Sequence, residues 1–163
     1  MRLINNFILI FLMIVSDSSL GVAQGPEQYL TLKPVLPQKV RPGESNEILI
    51  EMEILDPYHI QANPAANPRL IPSTLSLEAV SGITANSPIY PPGKRYRLKQ
   101  SQESLSVYSG KLVLKVPITV SAVAKLKSVR LRGKFRFQPC NDSICFFPVS
   151  LPIEIPIEIE KKN

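Results

Sequence analysis

Val129-Arg130-Leu131-Arg132-Gly133-Lys134-Phe135-Arg136-Phe137 alternates strictly: Val129, Leu131, Gly133, Phe135 and Phe137 fall on one side, and Arg130, Arg132, Lys134 and Arg136 on the other. Successive side chains leave an extended backbone on opposite faces, so a period of two marks a strand with one buried and one wetted face. Val149, Leu151, Ile153, Ile155, Ile157 and Ile159 repeat the pattern against Ser150, Pro152, Glu154, Pro156 and Glu158. Two prolines on this strand predict an edge, since each lacks an N–H for the ladder. Residues 138–148 are short enough to close the two strands into an antiparallel hairpin, which sets the basic face beside Glu154 and Glu158. Opposite charges across strands add a few tenths to about 1 kcal/mol per pair.

Working outward, the same alternation runs through Ile48, Ile50, Met52 and Ile54, through Leu75, Leu77 and Ala79 of a strand at 74–80, and through Leu112, Leu114, Val116, Ile118 and Val120. Arg41-Pro42-Gly43, Asn63-Pro64, Asn67-Pro68 and Pro91-Pro92-Gly93 supply turn chemistry between them. The 16 prolines of the 163 residues are scattered along the chain and leave little room for long helices. These features predict an all-β chain, an immunoglobulin-like β-sandwich of short antiparallel strands, with no internal repeat and no second domain.

The first residues read differently. Arg2 is followed by nine apolar residues, Phe7 to Val15, then a polar stretch and Gly21-Val22-Ala23. This is the layout of a secretory signal peptide, residues 1–23, with cleavage before Gln24 and residues 24–163 as the exported domain. Nine apolar residues fall short of the ~20 that a spanning helix needs. The expected product is a soluble protein outside the cytoplasm, where disulfides persist. The formal charge of +6 is unchanged by loss of Arg2 and Asp17. Four of the bases alternate along one strand face instead of gathering with aromatics, so no nucleic-acid partner is expected. Two cysteines and one histidine cannot make a four-ligand Cys/His zinc site, and there is no Cys-x-x-Cys.

Cys140-Asn141-Asp142-Ser143-Ile144-Cys145 is placed by this reading at the exposed tip of the last hairpin, between Phe135 and Phe137 on one side and Phe146 and Phe147 on the other. Pairing is the default for the only two cysteines of an exported chain. The chain-entropy model gives so short a loop about 2 kcal/mol, and a hairpin already holds the residues close. Two uses of the bond stay open: a structural brace, or a labile bond open to a partner thiolate through a mixed disulfide.

Phe137-Gln138-Pro139-Cys140-Asn141-Asp142-Ser143-Ile144-Cys145-Phe146-Phe147-Pro148 resembles the cysteine segment of the N-terminal periplasmic domain of the bacterial thiol:disulfide interchange protein DsbD. Tyr58-His59-Ile60-Gln61-Ala62-Asn63, Tyr90-Pro91-Pro92-Gly93-Lys94 and Val107-Tyr108-Ser109-Gly110 resemble further segments of that domain in the same order. The resemblance implies an immunoglobulin-like domain whose Cys140 and Cys145 cycle between dithiol and disulfide, as a component of a protein-disulfide reductase. It implies electrons drawn from a membrane-embedded partner and passed to periplasmic thioredoxin-fold proteins, with Cys145 forming the mixed disulfide and Cys140 resolving it. Because the chain ends at Asn163, the membrane donor is expected to be a separate protein, and the domain to work as a monomer. The family's cap loop matches residues 100–105, which hold no aromatic, leaving Leu105, with Tyr108 close behind, as candidates to shield the sulfurs. Phe137, Phe146, Phe147 and His59 are the other candidates for shielding or partner contact.

The residues alone do not choose the nucleophile: Asp142 raises a nearby thiol's pKa, and Arg136 lowers it if the strand brings it close. His59, the single histidine, reads as a packed residue without the partners that acid–base work needs, and no Gly-x-Ser-x-Gly elbow accompanies it. Tyr58, Tyr90, Tyr96 and Tyr108 read as structural unless they stand close to the cysteines. Asn141-Asp142-Ser143 matches the N-glycosylation pattern by chance. The relay needs no metal and no organic cofactor, since the exchanging sulfurs are the chemistry. The alternative is a non-catalytic binding or adhesion sandwich with a structural hairpin disulfide.

Overall fold

The computed structural model describes residues 25–34, 36–99, 103–123 and 127–160; the expected signal peptide and Gln100–Gln102 of the expected cap lie outside them. A short 3₁₀ turn, Pro26–Gln28, precedes twelve strands: β1 (Leu30–Leu32), β2 (Gln38–Val40), β3 (Ser45–Ile54), β4 (His59–Gln61), β5 (Thr74–Leu77), β6 (Ile83–Ala85), β7 (Lys94–Arg97), β8 (Ser104–Tyr108), β9 (Gly110–Val120), β10 (Ser128–Phe137), β11 (Pro139–Cys140) and β12 (Val149–Ile159). They form three four-stranded sheets among the described residues, ordered β1-β3-β9-β6, β2-β12-β10-β5 and β11-β4-β8-β7.

The first two sheets carry the alternating sequences and make the immunoglobulin-like sandwich. Ile48, Ile50, Met52 and Ile54 of β3 and Leu112, Leu114, Val116, Ile118 and Val120 of β9 join Leu131, Phe135 and Phe137 of β10 and Leu151, Ile153, Ile155 and Ile157 of β12 in one buried core. The expected antiparallel hairpin forms, with a register from Ser128 opposite Glu158 to Phe137 opposite Val149. Glu154 binds both Arg130 and Arg132, the latter with Nε to Oε2 at 3.1 Å, while Glu158 lies opposite Ser128. All of these groups are on the wet face, where such pairs contribute little.

Two expectations change. β12 is not the outermost strand, because β2 pairs with it in parallel. That pairing covers only Ile157, Glu158 and Ile159, so Pro152 and Pro156 both precede it and neither is called on to donate to β2. The strand expected at 74–80 ends at Leu77, and Ala79 is exposed. Val80 pairs instead with Ile83 across a turn in which Gly82 has φ +81°, a conformation that glycine adopts without steric cost. The chain there leaves the sheet of β10 for β6 on the opposite one.

Gly133 explains how β5 fits beside β10. A Cβ at this position would lie 2.2 Å from the Ser76 carbonyl oxygen and 3.0 Å from Leu77. The missing side chain lets the two backbones approach, which is a recurrent use of glycine within a strand.

Gln138 turns the chain from the large sheet into the small one. Its Oε1 accepts from the Ile71 N–H at 2.9 Å, its Nε2 donates to the Phe146 carbonyl at 3.2 Å, and its own carbonyl accepts from the Gln61 N–H at 3.1 Å. Pro139 and Cys140 then lie antiparallel to Ile60 and His59. The cysteine segment therefore does not protrude as a bare tip. Its backbone is drawn in as an added strand, which satisfies groups that a projecting loop would leave to water.

Candidate functional site: the Cys140–Cys145 hairpin

Cys140 and Cys145 face each other as an antiparallel bridge and are joined by a disulfide, with S–S 2.05 Å and Cα atoms 3.9 Å apart. Backbone bonds bracket the pair, Asn141 N–H to Ile144 carbonyl at 2.9 Å and Phe146 N–H to Pro139 carbonyl at 2.8 Å. The Asn141 Oδ1 accepts from the N–H groups of Ser143 and Ile144 at 2.9 and 3.0 Å, so the side chain read as part of a chance glycosylation pattern shapes the turn.

The two sulfurs differ in access. Cys140 is 0% exposed, in a small apolar cluster with Leu105 and Val107 of β8. Leu70, Tyr96, Leu98 and a partly exposed Cys145 pack at its margin. On the open side Cys145 lines a shallow cleft of about 420 Å³ with Tyr29, Gln138, Ile144, Phe146 and Phe147. Ile144 and Phe147 are exposed there, the latter 91%. From below, the buried Gln61 of β4 directs its Nε2 at Cys140 Sγ (3.2 Å) and Cys145 Sγ (3.5 Å).

The family described as Thiol:disulfide interchange protein DsbD, N-terminal, matches residues 27–155. The chain belongs to it. No curated protein matches. Among solved structures, the N-terminal periplasmic domain of ScsB from Proteus mirabilis is 12% identical, with a TM-score of 0.45; the match covers 85% of this chain and 50% of that one, so the chain spans half the length of that structure. The PapD-like domain 7 of human CEP192 is 11% identical over 93% of this chain and 99% of its own, with a TM-score of 0.37.

Within this DsbD N-terminal domain the charged groups around the hairpin are tied to one another. Asp142 accepts a hydrogen bond from Tyr96 Oη at 2.7 Å and pairs with Lys99 Nζ at 2.6 Å, while the Lys99 N–H donates to the Asp142 carbonyl at 2.8 Å. Lys99, then Tyr96, holds the Asp142 carboxyl below its usual range, and Asp142 in turn pushes the Tyr96 phenol up. The carboxylate expected to raise a thiol's pKa is thus already countered by a cation. Arg136 stands on the exposed face of β10, opposite Ser150 and Thr74, turned from the core that holds Phe135 and Phe137.

His59 is 5% exposed on β4, with Cys140 as its strand partner and the Tyr96 ring 3.9 Å away centroid to centroid. Burial lowers its pKa, outweighing the attraction of Asp142 and a hydrogen bond with the Asn141 backbone, and its Nε2 is buried without a hydrogen-bond partner. It is a packed neutral ring beside the disulfide. Leu105 is 3% exposed and belongs to the cysteine cluster. Tyr108 belongs to the main core, its hydroxyl accepting from the Asn63 N–H at 3.0 Å and donating to the Pro91 carbonyl at 2.9 Å. Phe137 is also buried in the main core. Phe146 packs against Tyr29 and Tyr58, with centroids 5.7 and 6.1 Å away.

Gln61 and Tyr96 are the site residues that sequence reasoning missed. Tyr96 stood among four tyrosines with nothing to single it out. Gln61 stood inside the Tyr58–Asn63 segment quoted for the family resemblance, and nothing in the residues themselves singled out its amide.

Proposed function

We propose that the domain is a periplasmic relay in which Cys140 and Cys145 carry two electrons from a membrane-embedded donor to thioredoxin-fold partners, with residues 1–23 as the export signal. The observation that carries this reading is the unequal burial of the two sulfurs beside an exposed apolar rim. Cys145, next to exposed Ile144 and Phe147, offers an approach for a partner, whereas Cys140 is enclosed. Family membership supports thiol–disulfide interchange as the class of chemistry.

In the delivery step the Cys145 thiolate attacks one sulfur of a partner disulfide. The Cys145–partner bond forms, the partner's S–S bond breaks, and its second sulfur leaves as a thiolate. Cys140, as thiolate, then attacks Cys145 Sγ, closing the Cys140–Cys145 bond and releasing the partner's first sulfur. The partner gains two electrons and takes up two protons in place of those lost by Cys140 and Cys145. Reloading by a donor dithiol is the same sequence reversed.

Two measurements test this. Cys140→Ser leaves Cys145 unable to be resolved, so periplasmic thioredoxin-fold proteins are expected as covalent, thiol-cleavable complexes. The reduction potential of the wild-type pair is expected near those of working oxidoreductases. A potential below about −300 mV, the range of structural bonds, together with no trapped complex, overturns the relay. That outcome would favour the alternative, a structural hairpin disulfide in a binding sandwich.

A further inference from the structure

Gln61 is the one polar side chain whose hydrogen-bonding atom lies within 3.5 Å of both sulfurs among the described contacts. Its place is set before any reaction. Its backbone N–H donates to the Gln138 carbonyl at 3.1 Å, its carbonyl accepts from the buried Ser73 hydroxyl at 2.6 Å, and β4 is held between β11 and β8. The side chain is 0% exposed. A sulfur in a disulfide is a weak acceptor, and a thiolate is a strong one. An amide N–H fixed at this distance therefore gains most when one of the sulfurs becomes charged.

The other end of the same amide is unsatisfied. Gln61 Oε1 is buried without a hydrogen-bond partner, and leaving such a group unsatisfied is costly in a folded interior. In the disulfide neither sulfur carries a hydrogen to give it. Opening the bond creates an S–H donor on whichever sulfur is protonated, beside an amide whose nitrogen already faces the pair.

We infer that Gln61 is a catalytic residue of the exchange, resting on the relay reading: its Nε2–H stabilises the Cys140 thiolate that leaves when a donor thiolate attacks Cys145, and its Oε1 accepts from the thiol of the reduced pair. In this step the donor–Cys145 S–S bond forms, the Cys145–Cys140 bond breaks, and the electron pair departs on Cys140 Sγ. The enclosed thiolate is then met by a dipole in place of water. The amide favours the dithiol state over the disulfide and so makes the pair easier to reduce.

The titratable groups around the cysteine hairpin are His59 from β4, Tyr96 from β7, and Asp142 in the hairpin itself with its partner Lys99. Asp142 and Lys99 offset each other, and Gln61 has no charge to titrate, so its removal shifts the thiol without adding a new titration.

The test uses reduced protein in a Cys145→Ser background, so that Cys140 alone is followed by thiolate ultraviolet absorbance against pH. Gln61→Leu is expected to move the titration up by about one unit, a tenfold loss of thiolate at a given pH. In the two-cysteine protein it is expected to shift the glutathione equilibrium about tenfold toward disulfide, about 30 mV. Gln61→Met, unbranched like glutamine, is read in its place if the leucine variant does not fold. A folded variant with the wild-type titration and potential overturns the inference, as does loss of fold in both variants, which assigns the amide to the core instead. A wild-type potential in the structural range with an empty trap overturns the relay itself, whereas an unmoved titration leaves the relay standing and removes only Gln61.

Discussion

The core between the two large sheets and the patch beneath the cysteines are built on different terms. The first gathers long alternating strands from β3, β9, β10 and β12, filled by Phe135, Phe137 and a lattice of Ile and Leu. The second is a handful of residues, Leu105, Val107 and Cys140 with partly exposed neighbours, under strands of two to five residues. One region secures the fold, and the other holds a bond in a place where it can be reached from one side. The difference teaches that the sandwich core and the disulfide lie in separate clusters, so the relay reading treats the bond as a passenger of the sandwich.

That comparison breaks most directly at Phe135. Phe135→Ala is expected to cost about 3–5 kcal/mol of unfolding free energy in urea melts, the usual cost of emptying an aromatic site in a close-packed core. Leu105→Ala is expected to cost less, about 2–3 kcal/mol, because the small cluster has a margin that can settle; unlike Phe135→Ala it is also expected to speed reduction of the disulfide by dithiothreitol while the protein remains folded. If both variants alter the reduction rate equally, the two regions are one. The double variant Cys140→Ser/Cys145→Ser is expected to lose about 2 kcal/mol, the entropy of so short a loop. A loss as large as that of Phe135→Ala would make the bond a principal support of the fold.

Smaller effects sharpen the comparison at its charged surfaces. Glu154→Gln on the sandwich face is expected to leave the urea midpoint almost unmoved, since its two arginines are exposed. Asp142→Asn at the cysteine loop is read through pH. The Asp142 carboxyl is held below its ordinary value of 3.8, chiefly by Lys99 and Tyr96, so its stabilisation is present above that value and is lost as pH falls through the lower folded one. Wild type and Asp142→Asn are therefore expected to differ at neutral pH and to converge in strong acid. Curves that stay parallel would remove the Lys99–Asp142–Tyr96 clamp.

The sandwich was legible because β3, β9, β10 and β12 each have one wet face, and a half-buried strand writes its orientation into a period of two. β4 carries no such trace: His59, Ile60 and Gln61 are all buried, so inside and outside look alike. In β7, Lys94-Arg95-Tyr96-Arg97 reads as a charged stretch, although Tyr96 turns inward to His59 and Asp142. The cysteines announced themselves through their chemistry. Their setting did not, because the inward fold of Pro139–Cys140 depends on pairing with β4, about 80 residues earlier in the chain.

The prolines of β12 have a bearing on how the domain behaves while crowded or half-folded. Before β2 joins at Ile157, the outer side of β12 has no strand beside it among the described residues. In an antiparallel ladder every second N–H points to that side, and at Pro152 and Pro156 there is none to offer. A stretch as rich in isoleucine as Ile153-Glu154-Ile155-Pro156-Ile157 is otherwise an inviting template for edge-to-edge aggregation. With its donors interrupted and Glu154 between them, an incoming chain finds no continuous row to zip onto.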